Sequence, residues 1–102
     1  MAVSLQVLYP TANGTTFDHD YYMSKHMPMV GEHMGAHIQD TLVVKGLAGA
    51  PDTPAGFHAI ATMVFADQAA MDAALAASGP VLKDIPNFYS SQPQMLFGEV
   101  KG

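Results

Sequence analysis

The chain has 102 residues, 49% of them hydrophobic and only 13% charged, with a net charge of −5 and no cysteine. That length fits one domain over residues 1–102, too small to bury so much apolar surface by itself, so an oligomer is expected. Four Lys and Arg give no basic stripe for nucleic acid, and the missing thiols exclude disulfides, thiolate catalysis and Cys-held zinc or iron–sulfur clusters.

Strict alternation of Val3, Leu5, Val7 and Tyr9 against Ser4 and Gln6 predicts a strand over Ala2–Tyr9. A turn follows through Pro10–Thr16. A helix is expected from Phe17 to Met27, with Thr16 as its cap and Asp18 and Asp20 at the positive end of its dipole. Pro28 should kink that helix or start a second piece through His33, and Gly31 and Gly35 favour its end. The second strand lies within Ala36–Leu47, centred on the β-branched run Thr41–Val44, and Gly46–Gly56 reads as a loop. The third strand, Phe57–Phe65, is largely apolar on both faces, so cover is expected on both. Asp67 should cap an Ala-rich helix over Gln68–Ala77, Pro80–Ile85 should add one further turn, and Gln94–Val100 should form the last strand.

The order β-α-β-β-α-β is the ferredoxin-like split βαβ pattern, an α+β fold with a four-stranded antiparallel sheet. Two helices cover one face of such a sheet. An apolar second face is then expected to pack against that of another copy, closing a dimeric α+β barrel. No apolar run approaches a membrane span. The first residues carry neither the basic start nor the cleavage site of a signal peptide. A cytoplasmic homodimer with no membrane or nucleic-acid partner is the expectation.

Polar chemistry is densest in Phe17–Pro28. On a helix Asp18, Tyr22 and His26 fall at successive i, i+4 positions. A carboxylate, a phenol and an imidazole in one stripe can hold a substrate oxygen and move a proton near neutral pH. The same spacing also suits a packed helix whose histidine is simply hydrogen-bonded. Leu8-Tyr9-Pro10, followed by Phe17-Asp18-x-Asp20-Tyr21-Tyr22-x-x-x-His26-Met27-Pro28, resembles the signature of the EthD family, named for an association with ethyl tert-butyl ether degradation. Val44–Leu47, Met63–Phe65 and Asp84-Ile85-Pro86-Asn87-Phe88 are similar to the subgroup labelled EthD family reductases. The resemblance implies a dimeric α+β barrel whose cleft between helices and sheet takes a small, hydrophobic, aromatic or carbonyl compound. His26, Tyr22 and Tyr21 would line it, with Asn87 and Phe88 from the late loop and Tyr9 and His58 as further contacts.

The label "reductase" finds no support in the residues, since no Gly-x-Gly-x-x-Gly follows the first strand. The expected chemistry is therefore cofactor-independent, of isomerase, cyclase or oxygenase type, with His26, Tyr22 and Asp18 as its catalytic groups. A haem-handling barrel with His26 or His58 as axial ligand and a non-catalytic scaffold of a degradation pathway are the alternatives. His33 and His37 are four apart, but Gly35 between them breaks the helical geometry a metal pair needs, so no metal site is expected. His58 shares a strand face with Ile60 and Val64, as a ligand contact or a core histidine. The eight methionines suit an adaptable apolar filling, and Asp84–Asn87 is read as a turn with a structural role.

Overall fold

The computed structural model describes every residue from Met1 to Gly102. Four strands, β1 (Val3–Pro10), β2 (Asp40–Lys45), β3 (Phe57–Phe65) and β4 (Gln94–Glu99), form one antiparallel sheet in the order β2-β3-β1-β4. The period-2 pattern does what it predicts on the central strands. Val3, Leu5, Val7 and Tyr9 of β1 and Ala59, Ala61, Met63 and Phe65 of β3 are all buried on one face. Register places Leu5 opposite Met63 and Val7 opposite Ala61, so that face is a continuous apolar floor.

Helices cover only this floor. The chain leaves β1 through a 3₁₀ turn at Ala12–Gly14, where Asn13 and Gly14 adopt the left-handed backbone those residues tolerate. It then forms α1 (His19–Tyr21), a π-turn (Tyr22–His26) and α2 (Met27–Met34) as one helical run. The N-cap is Asp18, not Thr16: the Asp18 carboxylate accepts from the Tyr21 N–H at 3.0 Å, while Thr16 pairs with Ser90 instead. Pro28 does not break the run. It has no N–H and its ring crowds the carbonyl four residues back, and the turn immediately before it has widened, with the Met27 N–H donating to Tyr22 O. Ser24 Oγ also donates to Asp20 O at 2.6 Å, which loosens the same turn.

A 3₁₀ turn at Gly35–His37 replaces the expected start of the second strand, which begins at Asp40. Asp67 caps α3 (Gln68–Ala76) as expected, its Oδ1 accepting from the Ala70 N–H at 2.9 Å. α4 (Gly79–Asp84) is fuller than a single turn because Pro80 sits in its first turn, where an N–H lacks a helical partner anyway. A 3₁₀ turn at Ile85–Asn87 leads on toward β4. Val30, Met34, Met71, Ala74 and Val81 from these helices seal the floor.

This is the ferredoxin-like α+β fold. The opposite face of the sheet is uncovered within the chain. Leu8, Ile60 and Val64 are only partly buried there, and Leu42 and Leu96 are 63% and 56% exposed. No helix is long and apolar enough to cross a membrane.

Candidate functional site

Between floor and helices lies a cavity of about 330 Å³, at the small end of ligand sites. Fifteen of its seventeen lining residues are hydrophobic, and none is Lys or Arg. Four methionines, Met27, Met34, Met63 and Met95, contribute thioethers that adapt to irregular shapes. Met23, in the π-turn, faces outward instead of filling an apolar interior. Leu82, Met95 and Phe97 both line the cavity and stay substantially exposed, which marks its mouth beside the β4 edge.

The π-turn delivers the polar end. Tyr22 and His26, at its two termini, are both buried and both line the cavity. Their rings stack at 5.5 Å between centroids, and Phe88 packs on the imidazole at 4.5 Å. His26 Nδ1 lies 3.0 Å from Asp84 Oδ2. The other carboxylate oxygen accepts from Tyr21 Oη at 2.7 Å and from Asn87 Nδ2 at 3.0 Å. An ionised carboxylate only accepts, so Nδ1 carries the proton and Nε2 is left with a free lone pair. Nε2 has no protein partner, and Asp84 is not part of the cavity wall, so the imidazole edge bearing Nε2 is the one turned to the cavity.

Electrostatics keep this pair in that state. Burial pushes the His26 imidazole below its ordinary value, and Asp84 only partly offsets it. Burial alone would raise the Asp84 carboxyl, but hydrogen bonds from Tyr21, Asn87 and His26 outweigh it and hold the group below its usual range. A neutral histidine against an ionised aspartate at neutral pH is the arrangement of a poised general base. Tyr21 is pushed up chiefly by its hydrogen bond to Asp84.

Long-range pairing makes the site. The Asp18 N–H donates to Phe88 O at 2.8 Å, Phe17 bridges to Tyr89, and the Ser90 N–H donates to Thr16 O at 3.2 Å. These bonds clamp the start of the histidine helix to the segment that follows Asp84 and α4. Beneath the clamp Tyr9, Phe17, Tyr22, Phe88 and Tyr89 meet largely edge to face. One cost stands out: the Tyr22 hydroxyl is sealed and has no hydrogen-bond partner, a situation that costs about 1–3 kcal/mol.

The residues singled out by sequence divide accordingly. His26, Tyr22 and Tyr9 line the cavity. Tyr21 and Asn87 stand behind Asp84, and Phe88 packs on His26. Asp18 is exposed and caps the helix, away from the cavity wall. His58 lies at the register shift near the start of β3 and outside the cavity wall, where Thr15 Oγ1 lies 3.0 Å from its Nε2 and Phe17 stacks on its ring. Of the two histidines weighed as haem ligands, only His26 therefore meets the cavity. No group of three His, Cys, Asp or Glu converges to hold a metal ion. Sequence reasoning missed Asp84 as a site residue. Its signal was a carboxylate flanked by Val81, Leu82 and Ile85, where a charge that becomes buried needs partners.

Residues 14–92 match the family model described as EthD domain. The chain belongs to the EthD family. An EthD-like protein from Ralstonia eutropha JMP134 is 34% identical, with a TM-score of 0.88 over 99% of this chain and 93% of that one. An ethyl tert-butyl ether (EthD) family protein from Bacillus halodurans C-125 is 20% identical, with a TM-score of 0.73 over 99% and 100% of the two chains. At 10% identity, the fold alone is shared with SnoaB, a cofactor-independent oxygenase from Streptomyces nogalater, with a TM-score of 0.68 over 99% and 94%. No curated protein matches the chain.

Proposed function

We infer that this EthD protein is a small-molecule enzyme that takes a largely apolar compound into the cavity beneath its helices and moves a proton with His26 Nε2. One observation carries the reading: a buried histidine whose Nδ1 is fixed by a carboxylate at 3.0 Å while its ring lines an apolar cavity. Asp84 holds the reactive tautomer and steadies the imidazolium that forms on proton uptake, and Tyr21 and Asn87 hold Asp84. A wall without Lys or Arg offers nothing for a nucleotide diphosphate, which supports chemistry without a nucleotide cofactor. The resemblance in fold to a cofactor-independent oxygenase is compatible with that class.

The working unit in this reading is a homodimer. Leu8, Leu42, Val44, Ile60, Val64 and Leu96 give the open face of the sheet an apolar surface with no cover from its own chain. Native mass spectrometry tests both parts. A dimer that retains or takes up a small apolar molecule is expected, and His26→Gln should keep the dimer while turnover of that molecule falls at least a hundredfold. Turnover that survives in a folded His26→Gln variant would refute the base assignment. A monomer at micromolar concentration would refute the dimer.

A further inference from the structure

The second polar feature of the cavity is not used by the histidine. Tyr9 and Tyr22 both line the wall, and their rings meet edge to face at 5.6 Å between centroids. The Tyr22 hydroxyl is buried without a well-formed hydrogen bond, and the Tyr9 hydroxyl is close enough to interact with it. Each lies near enough to the other to influence its ionisation. Two phenols with at most each other as partners have donor capacity left for an oxygen, because a buried O–H is nearly always paired. The remaining polar wall residue, Ser78, is already committed, with Oγ donating to Leu75 O at 2.7 Å.

We propose that Tyr9 and Tyr22 form the oxygen-binding end of the site, and that its substrates are small apolar ketones bearing a C–H next to the carbonyl. The proposal rests on the assignment of His26 as base. A carbonyl oxygen has two lone pairs, and two phenols can fill both. With the oxygen held there, the neighbouring carbon is presented to His26, whose ring stacks on that of Tyr22. His26 Nε2 removes the proton from that carbon. The C–H electron pair becomes the C=C bond of the enolate, and the carbonyl π pair moves to oxygen, where the two O–H groups stabilise it. The imidazolium, facing Asp84, returns the proton to the same carbon or to a conjugated one. No electrons enter or leave, so the step is an enolisation or isomerisation that needs no co-reactant. Burial pushes Tyr22 up to about 12 and moves Tyr9 the same way, so both remain donors at any working pH.

The test compares three probes of nearly the same size: naphthalene, 2-naphthol as a stable likeness of an enol, and 2-tetralone as an enolisable ketone. The intact protein should bind 2-naphthol at least tenfold more tightly than naphthalene. Tyr9→Phe and Tyr22→Phe should each shrink that margin severalfold while leaving naphthalene affinity within about twofold, which also certifies the fold. In heavy water the protein should speed deuterium entry into 2-tetralone, with a large loss in Tyr22→Phe and in His26→Gln. Equal affinity for 2-naphthol and naphthalene, a margin untouched by both tyrosine changes, or no binding of either probe would overturn the oxygen site. Failure to exchange deuterium would overturn the enolisation. If the margin vanishes but exchange still depends on His26, only the tyrosine assignment falls. If the margin stands but exchange ignores His26, the base assignment falls instead.

Discussion

Replacing Asp84 by Asn changes one atom of the site and should invert its chemistry. The carboxylate accepts three hydrogen bonds, two on Oδ1 from Tyr21 and Asn87 and one on Oδ2 from His26. An asparagine has one oxygen, and the two donors on the Oδ1 side will hold it there. Its amide N–H₂ then faces His26 Nδ1, where two donors cannot meet. The imidazole must move its proton to Nε2 and accept at Nδ1, so the nitrogen turned to the cavity becomes a donor. Three bonds to a charged acceptor, at about 1.5–3 kcal/mol each, become neutral ones at about 0.5–1.5 kcal/mol. Relief from burying the charge offsets part of that difference and leaves a net loss of about 2 kcal/mol, or about 10 °C in melting temperature for a domain of this size. Loss of the base should lower turnover by about 10²–10⁴. Long-range ¹H–¹⁵N NMR of the imidazole reads the tautomer directly. A proton found on Nε2 in the unmodified protein, or still on Nδ1 in a stable Asp84→Asn variant, would refute this account of the site.

Three further outcomes follow from the same structure. Because burial lowers the folded-state value of His26, the unfolded chain binds its proton first as pH falls, so stability should start to drop below about 6.5. Asp84 adds a second loss at lower pH, its contribution being present above the usual carboxylate value and lost as pH falls through the depressed one. Denaturant midpoints across pH 3–8 will show both stages, and a flat profile below 6.5 counts against the buried neutral histidine. A methyl group on Gly46 would collide with the Phe57 carbonyl at the exit of β2, so Gly46→Ala should cost about 1–3 kcal/mol by urea titration, whereas Gly31→Ala, in open space, should be neutral or stabilising. Ile60→Glu places a charge at the middle of the open sheet face and should shift the mass-spectrometric dimer to monomer by at least tenfold in dissociation constant.

Much of the fold was written in local patterns. Alternation in Val3–Tyr9 and Phe57–Phe65 is sufficient to assign faces, and Asp67 announces α3 through ordinary capping chemistry. The boundary errors come from contacts that no local pattern records. Thr16 is a sound cap by type, yet its backbone pairs with Ser90 before the helix begins, and Asp18 is the residue that caps it. Pro28 predicts a kink or a fresh start, and α2 does begin at Met27 with Pro28 in its first turn, although a widened turn and not a gap precedes it. The candidate site divides in the same way. Tyr22 and His26 declare themselves by spacing, whereas Asp84 lies 58 residues from His26 in sequence and becomes its partner only when Phe17–Asp18 docks on Phe88–Tyr89. Apolar cover for both faces of β3 was expected, and the chain alone supplies one.

A π-turn holds one residue more than an α-helical turn, so Tyr22–His26 is an ordinary helix with an insertion in it. Removing one interior residue, such as Met23 or Ser24, both exposed, would let the backbone regain regular α-helical bonding. The same cut would set Tyr22 and His26 three residues apart instead of four, still neighbours on one face but across a tighter turn than the one that now stacks their rings at 5.5 Å. Helical regularity and the present spacing of the two rings are thus set by a single residue. A shortened chain that melts higher yet has lost the Tyr22–His26 stacking would show that the extra residue is kept for the geometry of the cavity wall and not for stability.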